Sequence, residues 1–112
     1  MIHVPDVRAA MEWYRSVGFE VIRTNECDGV LDWALLSFGD GRVMFNAGGK
    51  LTSDDRRDVD LYVNTDNVDA LYARLEGRVD VRKQPYDTFY GTREFIVRDP
   101  NGFWVTFGCD KG

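Results

Sequence analysis

The side chains of this 112-residue chain that could do chemistry are few and scattered. His3 is the single histidine, and Cys27 and Cys109 are the two cysteines, far apart and in neither metal nor redox spacing. No Ser-His-Asp or Cys-His set can be assembled from one imidazole and two isolated thiols. Gly48-Gly49-Lys50 lacks the preceding spacing of a phosphate-binding loop. Glu12, Glu20 and Glu94 could act as proton acceptors, yet nothing in their sequence surroundings points to a shifted pKa. What remains is rings and acids. Seven Phe, five Tyr and three Trp make up 13% of the chain, enough to build a core or a cleft on aromatic faces. Fourteen Lys+Arg against nineteen Asp+Glu leave a net charge of −5. That balance argues against duplex nucleic acid and against an anionic membrane as partners, since both select a basic face. A neutral or cationic small ligand stays open, and the charge serves solubility equally well.

A duplicated unit positions these residues. A shift of 61 places Val7 on Val68, Ala9 on Ala70, Leu36 on Val97 and Asp40-Gly41 on Asn101-Gly102. Each copy reads β-α-β-β-β. In the first, a short strand over 2–4 leads to Asp6 as N-cap of a helix carrying Val7, Ala10, Tyr14 and Val17, ended by Gly18. Strands are expected over 19–24, 33–38 and 42–46, with Gly39-Asp40-Gly41 turning the last hairpin. In the second copy a strand over 59–63 precedes Asp66 as cap of a helix with Val68, Leu71 and Leu75. Strands follow over 79–83, 93–98 and 103–107, the last pair joined by Asp99-Pro100-Asn101-Gly102. The expectation is one α+β domain of two modules, about 1–46 and 58–109, with a polar surface linker over 47–57. No apolar run approaches the roughly 18 residues of a membrane helix, and residues 1–6 lack the pattern of a signal peptide. A reducing cytoplasm with two free thiols follows as the expected setting.

Several stretches resemble the vicinal oxygen chelate superfamily, the fold of glyoxalases, bleomycin-resistance proteins and extradiol dioxygenases. They are Val4-Pro5-Asp6-Val7 before Glu12-Trp13-Tyr14, then Val17-Gly18-Phe19-Glu20-Val21, Phe38-Gly39-Asp40-Gly41-Arg42 and Leu61-Tyr62-Val63. The most specific is Arg93-Glu94-Phe95-Ile96-Val97-Arg98-Asp99-Pro100-Asn101-Gly102, similar to the C-terminal hairpin of bleomycin-resistance proteins. The resemblance spans essentially the whole chain. It implies two βαβββ modules making a cup-shaped sheet of mixed and antiparallel strands, with helices on the convex side and the ligand on the concave side. Two chains usually cooperate about each cleft, so a homodimer is implied.

Metal-dependent branches of that superfamily hold a divalent ion with His and Glu from four strands. Carried over residue by residue, the match is poor. The first-strand ligand would lie upstream of Met1, and His3, expected as a partly buried strand-end residue, is out of register. Residues 42–46 offer neither carboxylate nor imidazole, Asp60 matches one ligand position, and Thr106 stands where metal enzymes carry Glu. The expectation is no metal, no cofactor and no catalytic residues.

Strand alternation and the resemblance together give the candidate ligand residues. Asp58, Asp60 and Tyr62 oppose Val59, Leu61 and Val63, which should pack under a helix. Trp33 and Leu35 oppose Ala34 and Leu36, and Trp104 shares a face with Thr106, an inward position in the family. Positions matching the bleomycin-resistance cleft hold Asp32-Trp33, Asn46 and Tyr62, and the stretch 84–91, with the three rings of Tyr86, Phe89 and Tyr90, would suit a flap over the cleft. Ring faces supply stacking and cation–π attraction, and carboxylates add Coulomb attraction. The same rings would also serve as plain core or dimer interface. The expected function is metal-free binding of a cationic or aromatic small molecule in an aromatic, acidic cleft at a dimer interface. A metal-dependent lyase, isomerase or thiol transferase is the enzymatic alternative, and an interaction module with a vestigial cleft is a third.

Overall fold

The computed structural model describes residues 2–49, 56–57 and 59–110. They fall into two units, Met1–Ser53 and Asp54–Gly112, each with the order βαβββ expected from the duplication. No helix among the described residues is long and apolar enough to cross a membrane.

In the first unit β1 (Ile2–Val4) leads to α1 (Val7–Ser16), followed by β2 (Glu20–Cys27), β3 (Val30–Phe38) and β4 (Gly41–Ala47). Asp6 caps α1 as its type predicts, accepting from the Ala9 amide at 3.0 Å. The sheet runs β1-β4-β3-β2, with β1 parallel to β4 and the other pairs antiparallel. The α1 stripe of Val7, Ala10, Met11 and Tyr14 is buried, and the Tyr14 ring lies 4.8 Å from that of Phe45. Ala34, Leu36 and Phe45 are fully buried on the same side of the sheet. Strand β2 outruns its expected end because Asp28 and Gly29 both take positive φ, making a tight hairpin to β3.

The second unit contains β5 (Leu61–Asn64), α2 (Val68–Leu75), β6 (Asp80–Asp87), β7 (Thr92–Arg98) and β8 (Trp104–Asp110), in the order β5-β8-β7-β6. The helix cap is Asn67, not Asp66: the Asn67 side chain accepts from the Ala70 amide at 3.0 Å. Both residue types can cap. The helix begins at Val68, so only the residue beside it reaches the N3 amide, and the 61-residue shift carries Asp6 to that same position. Phe95, Val97, Val105 and Phe107 are fully buried under α2, with Tyr72 edge-on to Phe95 at 5.4 Å. Val59, expected among these core residues, precedes β5 and is exposed, because the strand starts only at Leu61. Arg93 ties α2 to β6, donating to Asp69 at 2.9–3.0 Å and to Asp87 at 3.0 Å.

Two connections differ from expectation. Strand β6 runs on through 84–87, so the expected flap shrinks to Thr88–Gly91, a turn closed by the Thr88 amide on the Thr92 carbonyl at 2.8 Å. Pro85 is tolerated there because β6 is an edge strand whose outward N–H has no partner to lose. Of the expected linker, Ala47 closes β4 and residues 50–55 lie outside the described residues. Arg57 belongs to the second unit, its amide donating to the Gly102 carbonyl at 2.9 Å.

Candidate functional site

Pairing register decides what shares the face of the second sheet turned from α2. One row runs Tyr62, Thr106, Ile96; the next runs Asn64, Gly108, Glu94, Tyr86. These alternate with the buried Phe95, Val97, Val105 and Phe107, so they point away from the helix. On that face stands a carboxylate only 2% exposed, Glu94.

Four hydroxyls converge on it. Tyr62 donates to Glu94 Oε2 at 2.8 Å, Thr92 to Oε2 at 3.0 Å, and Tyr86 to Oε1 at 3.3 Å. The Tyr90 hydroxyl sits 2.9 and 3.0 Å from the two oxygens. Thr92 is itself fixed by Thr88, their hydroxyl oxygens 2.8 Å apart. Gly108 makes the Tyr62 arm possible. A Cβ there would collide with the Tyr62 hydroxyl and come within 2.7 Å of its Cζ and 3.2 Å of Glu94 Cγ. Tyr62 therefore lies across the backbone of β8 where a side chain would otherwise stand.

Electrostatics fix the protonation states. Burial pushes the Glu94 pKa up, but the hydrogen bonds from Tyr62, Tyr90, Thr92 and Tyr86 outweigh it and hold the carboxyl below its ordinary value. Burial of the Tyr62 hydroxyl and its bond to Glu94 push that phenol up to about 12. Tyr90 is raised by its bond to Glu94 and then by burial; Tyr86 is raised by burial and then by the Glu94 charge. At neutral pH the cluster is one carboxylate and three neutral phenols whose protons are committed to it. That is a poor proton-transfer device, because neither partner titrates near neutrality. What it offers a ligand is phenol oxygen lone pairs, the Tyr62 and Tyr90 rings and a fixed negative charge, the Tyr86 ring being covered by Lys83 Nζ at 3.9 Å.

Two residues along β8 from Thr106 the arrangement changes. The Arg56 guanidinium lies over the Trp104 ring, 4.1 Å from its centroid, and Arg82 flanks that ring at 5.8 Å. Arg56 Nε also donates to Asp60 Oδ1 at 3.1 Å, and Nη2 contacts Oδ2. The expected acid at Asp60 is thus matched by a cation, and the carboxylate that addresses the tyrosines is Glu94. Phe89 is fully exposed at the hairpin tip, edge-on to Tyr90 at 5.0 Å and away from Glu94. Asp58 lies outside the described residues.

In the first unit His3, Asn46, Trp33 and Asn25 form one row and Met44 with Leu35 the next, opposite Ala34, Leu36 and Phe45. Asp32 and Trp33 are neighbours and would ordinarily face opposite ways. The register slips there, with Trp33 opposite Asn25 and Leu31 opposite Glu26, leaving Asp32 as an extra residue. Such a bulge re-aims a side chain. Leu31 becomes buried, and Asp32 accepts from Asn25 Nδ2 at 2.9 Å on the Trp33 side. A separate open hollow of about 470 Å³ lies between α1 and β2, lined by Met11, Arg15, Phe19, Glu20, Val21 and Thr24.

The donor set does not suit a divalent ion. Asp60 is held by Arg56, Thr106 brings a hydroxyl, and His3 is exposed rather than partly buried, with Nδ1 3.2 Å from the Ala47 carbonyl. Among the described residues no three His, Cys, Asp or Glu side chains gather as ligands would. Cys27 and Cys109 are free thiols.

Thus the structure joins Tyr62, Tyr90 and Thr106 on one face, pairs Asp60 with Trp104 through Arg56, and groups Asp32, Trp33, Leu35 and Asn46 in the other unit. Sequence reasoning missed Glu94 as the centre, along with Thr92, Gly108 and Arg56, and placed Tyr86 only among the three rings of a flap. The signal was available for one of them: the 61-residue shift carries Trp33, a candidate residue, onto Glu94.

Tandem βαβββ units whose first strand runs parallel to the last define the glyoxalase/bleomycin-resistance class of fold. The sequence model of the Glyoxalase/Bleomycin resistance protein/Dioxygenase superfamily matches residues 1–107, and the chain belongs to that superfamily. No curated protein matches it. Among solved structures it is similar to TioX from Micromonospora sp. ML1, with a TM-score of 0.77 at 23% identity over 97% of this chain and 93% of that one. A bleomycin-binding protein complexed with bleomycin gives 0.73 at 17%, covering 97% and 93%. A glyoxalase/bleomycin resistance protein/dioxygenase family enzyme from Burkholderia phytofirmans PsJN gives 0.69 at 20%, covering 97% and 94%.

Two outcomes test the cluster. Gly108→Ala drives Tyr62 off Glu94, so in a tyrosinate absorbance titration the phenol near 12 falls toward the ordinary value of about 10. Glu94 has a folded pKa below its unfolded one. Its stabilising contribution is therefore complete above the unfolded value of about 4.3 and disappears as pH drops through the folded value. Urea denaturation should show wild type ahead of Glu94→Gln by about 1–2 kcal/mol at neutral pH, with the gap narrowing in acid.

Proposed function

We propose that the chain is a metal-free binding protein for a small molecule, held on the face of the second sheet turned from α2. The observation that carries this reading is the Glu94 cluster. Placing a carboxylate out of water is costly, and on a face opposite the hydrophobic core it adds nothing to packing. It does hold three tyrosine rings in one array with their oxygens available as acceptors. The matching ligand is flat, carries N–H or O–H donors, and is neutral or cationic. Tyr62, Tyr90, Thr106 and Trp104 contact it in this reading, Phe89 closes on it from the hairpin tip, and Asp32, Trp33, Leu35 and Asn46 form the corresponding surface of the first unit. The bleomycin-bound structure of similar fold supports a small molecule as the partner class.

A homodimer is part of the proposal. Its support is the edge strand β2, exposed at all eight residues with Val21 and Ile22 among them, which leaves a sheet edge open for a second copy.

Isothermal titration against bleomycin and other planar cationic aromatics is the test. At least one compound should bind with a Kd in the micromolar range or tighter, and Tyr62→Ala should weaken it by about tenfold, as expected for one lost ring contact with its hydrogen bond. Absence of affinity below about millimolar across the panel would overturn the proposal.

A further inference from the structure

Arg56 solves a recognition problem inside the chain. Its planar cation lies on the indole of Trp104 at 4.1 Å while two of its nitrogens meet the two oxygens of Asp60. These are the two forces by which a protein holds a foreign guanidinium: a ring face below and a forked carboxylate at the edge. The neighbouring residue is anchored independently. Arg57 donates its amide to Gly102 at 2.9 Å and its Nε to the Asn101 carbonyl at 2.7 Å, with its guanidinium over Phe103 at 5.0 Å. The Arg56 side chain can therefore swing away without unzipping the strand start. Its pair with Asp60 is also easy to break, since the two side chains are 49% and 41% exposed. Arg82, the other cation near the indole, is bound to Asp80 at 2.7 Å and so is a weaker competitor for Asp60.

We propose that Asp60 and Trp104 form a recognition site for a planar cation, a guanidinium or amidinium group of the ligand, and that Arg56 occupies this site in the free chain as an internal competitor. The inference rests on the binding function proposed above and names the group that the ligand presents. It places the cation at Asp60 and Trp104 and the hydrogen-bond donors at the tyrosine hydroxyls around Glu94, level with Gly108, four residues further along β8. Ligands without a planar cation leave Arg56 seated and gain only the tyrosine contacts.

Benzamidine, an amidinium on a single ring, is the probe. Calorimetric titration of wild type, Arg56→Ala and Arg56→Gln should show both variants binding benzamidine roughly three- to tenfold tighter, the strength of one exposed cation–π contact and ion pair. Adding Asp60→Asn to Arg56→Ala should remove the gain. Circular dichroism confirms that each variant is folded. Affinity unchanged or reduced in both Arg56 variants overturns the inference. If Tyr62→Ala still weakens the best ligand of the panel in that case, the inference falls alone. If neither benzamidine nor any panel compound binds wild type or variant, the binding function falls with it.

Discussion

Taking one carboxylate out of water constrains the whole second unit. A buried carboxylate needs donors on its lone pairs, and Glu94 draws them from β5, β6, β7 and the 88–91 turn. That demand accounts for features otherwise unconnected. Position 108 has no side chain because Tyr62 crosses it, β6 continues past Pro85 so that Tyr86 can reach, and the turn is stapled by Thr88 and Thr92 so that Tyr90 is held in place. The network polarises itself, since each phenol that donates to Glu94 is harder to ionise and Glu94 harder to protonate. A rigid aromatic surface results on the face opposite the packed core.

Comparison of the two units separates packing from recognition. Helix-facing positions keep their character under duplication: Ala34 and Leu36 correspond to Phe95 and Val97, and all four are fully buried. The last turn is one residue longer in the second unit, pairing Arg98 with Trp104 where the first pairs Ser37 with Arg42. Beyond it Phe45 therefore corresponds to Phe107 and Asn46 to Gly108. On the opposite face the same scaffold holds different chemistry. Trp33 against Asn46 in one unit becomes Glu94 against Gly108 in the other. The helix-facing core stays apolar while the opposite face changes its chemistry, which is how one fold carries different sites.

Much of the scaffold was legible because it obeys local rules. Helix stripes and the Gly39-Asp40-Gly41 turn fix elements through near neighbours in the chain, and the 61-residue shift carries the same order to the second copy. Asp28-Gly29 was an equally local hairpin signal, and overlooking it cost β2 three residues. Asp66 and Asn67 are both capping types, and the start of the helix at Val68 makes Asn67 the cap. The site was harder to read, since its logic is cross-strand. Glu94 reads as one acid among nineteen until register sets it beside Gly108 and Tyr86. Asp60 reads as a cleft acid until Arg56, four residues earlier, is seen to neutralise it. The net charge of −5 carried little information about the site, because the charge that matters is one buried carboxylate, and Asp60, an exposed acid of the same unit, is already paired.

The proposed binding function makes the tyrosine face around Glu94 the surface that meets the ligand. Chemical-shift mapping of the labelled protein, free and saturated with the tightest compound found, addresses it most directly. The largest changes are expected at Tyr62, Tyr90, Trp104 and Gly108, with Leu71 and Phe95 on the α2 side nearly unmoved. Largest changes instead at Met11, Phe19 and Val21, in the hollow between α1 and β2, would contradict it.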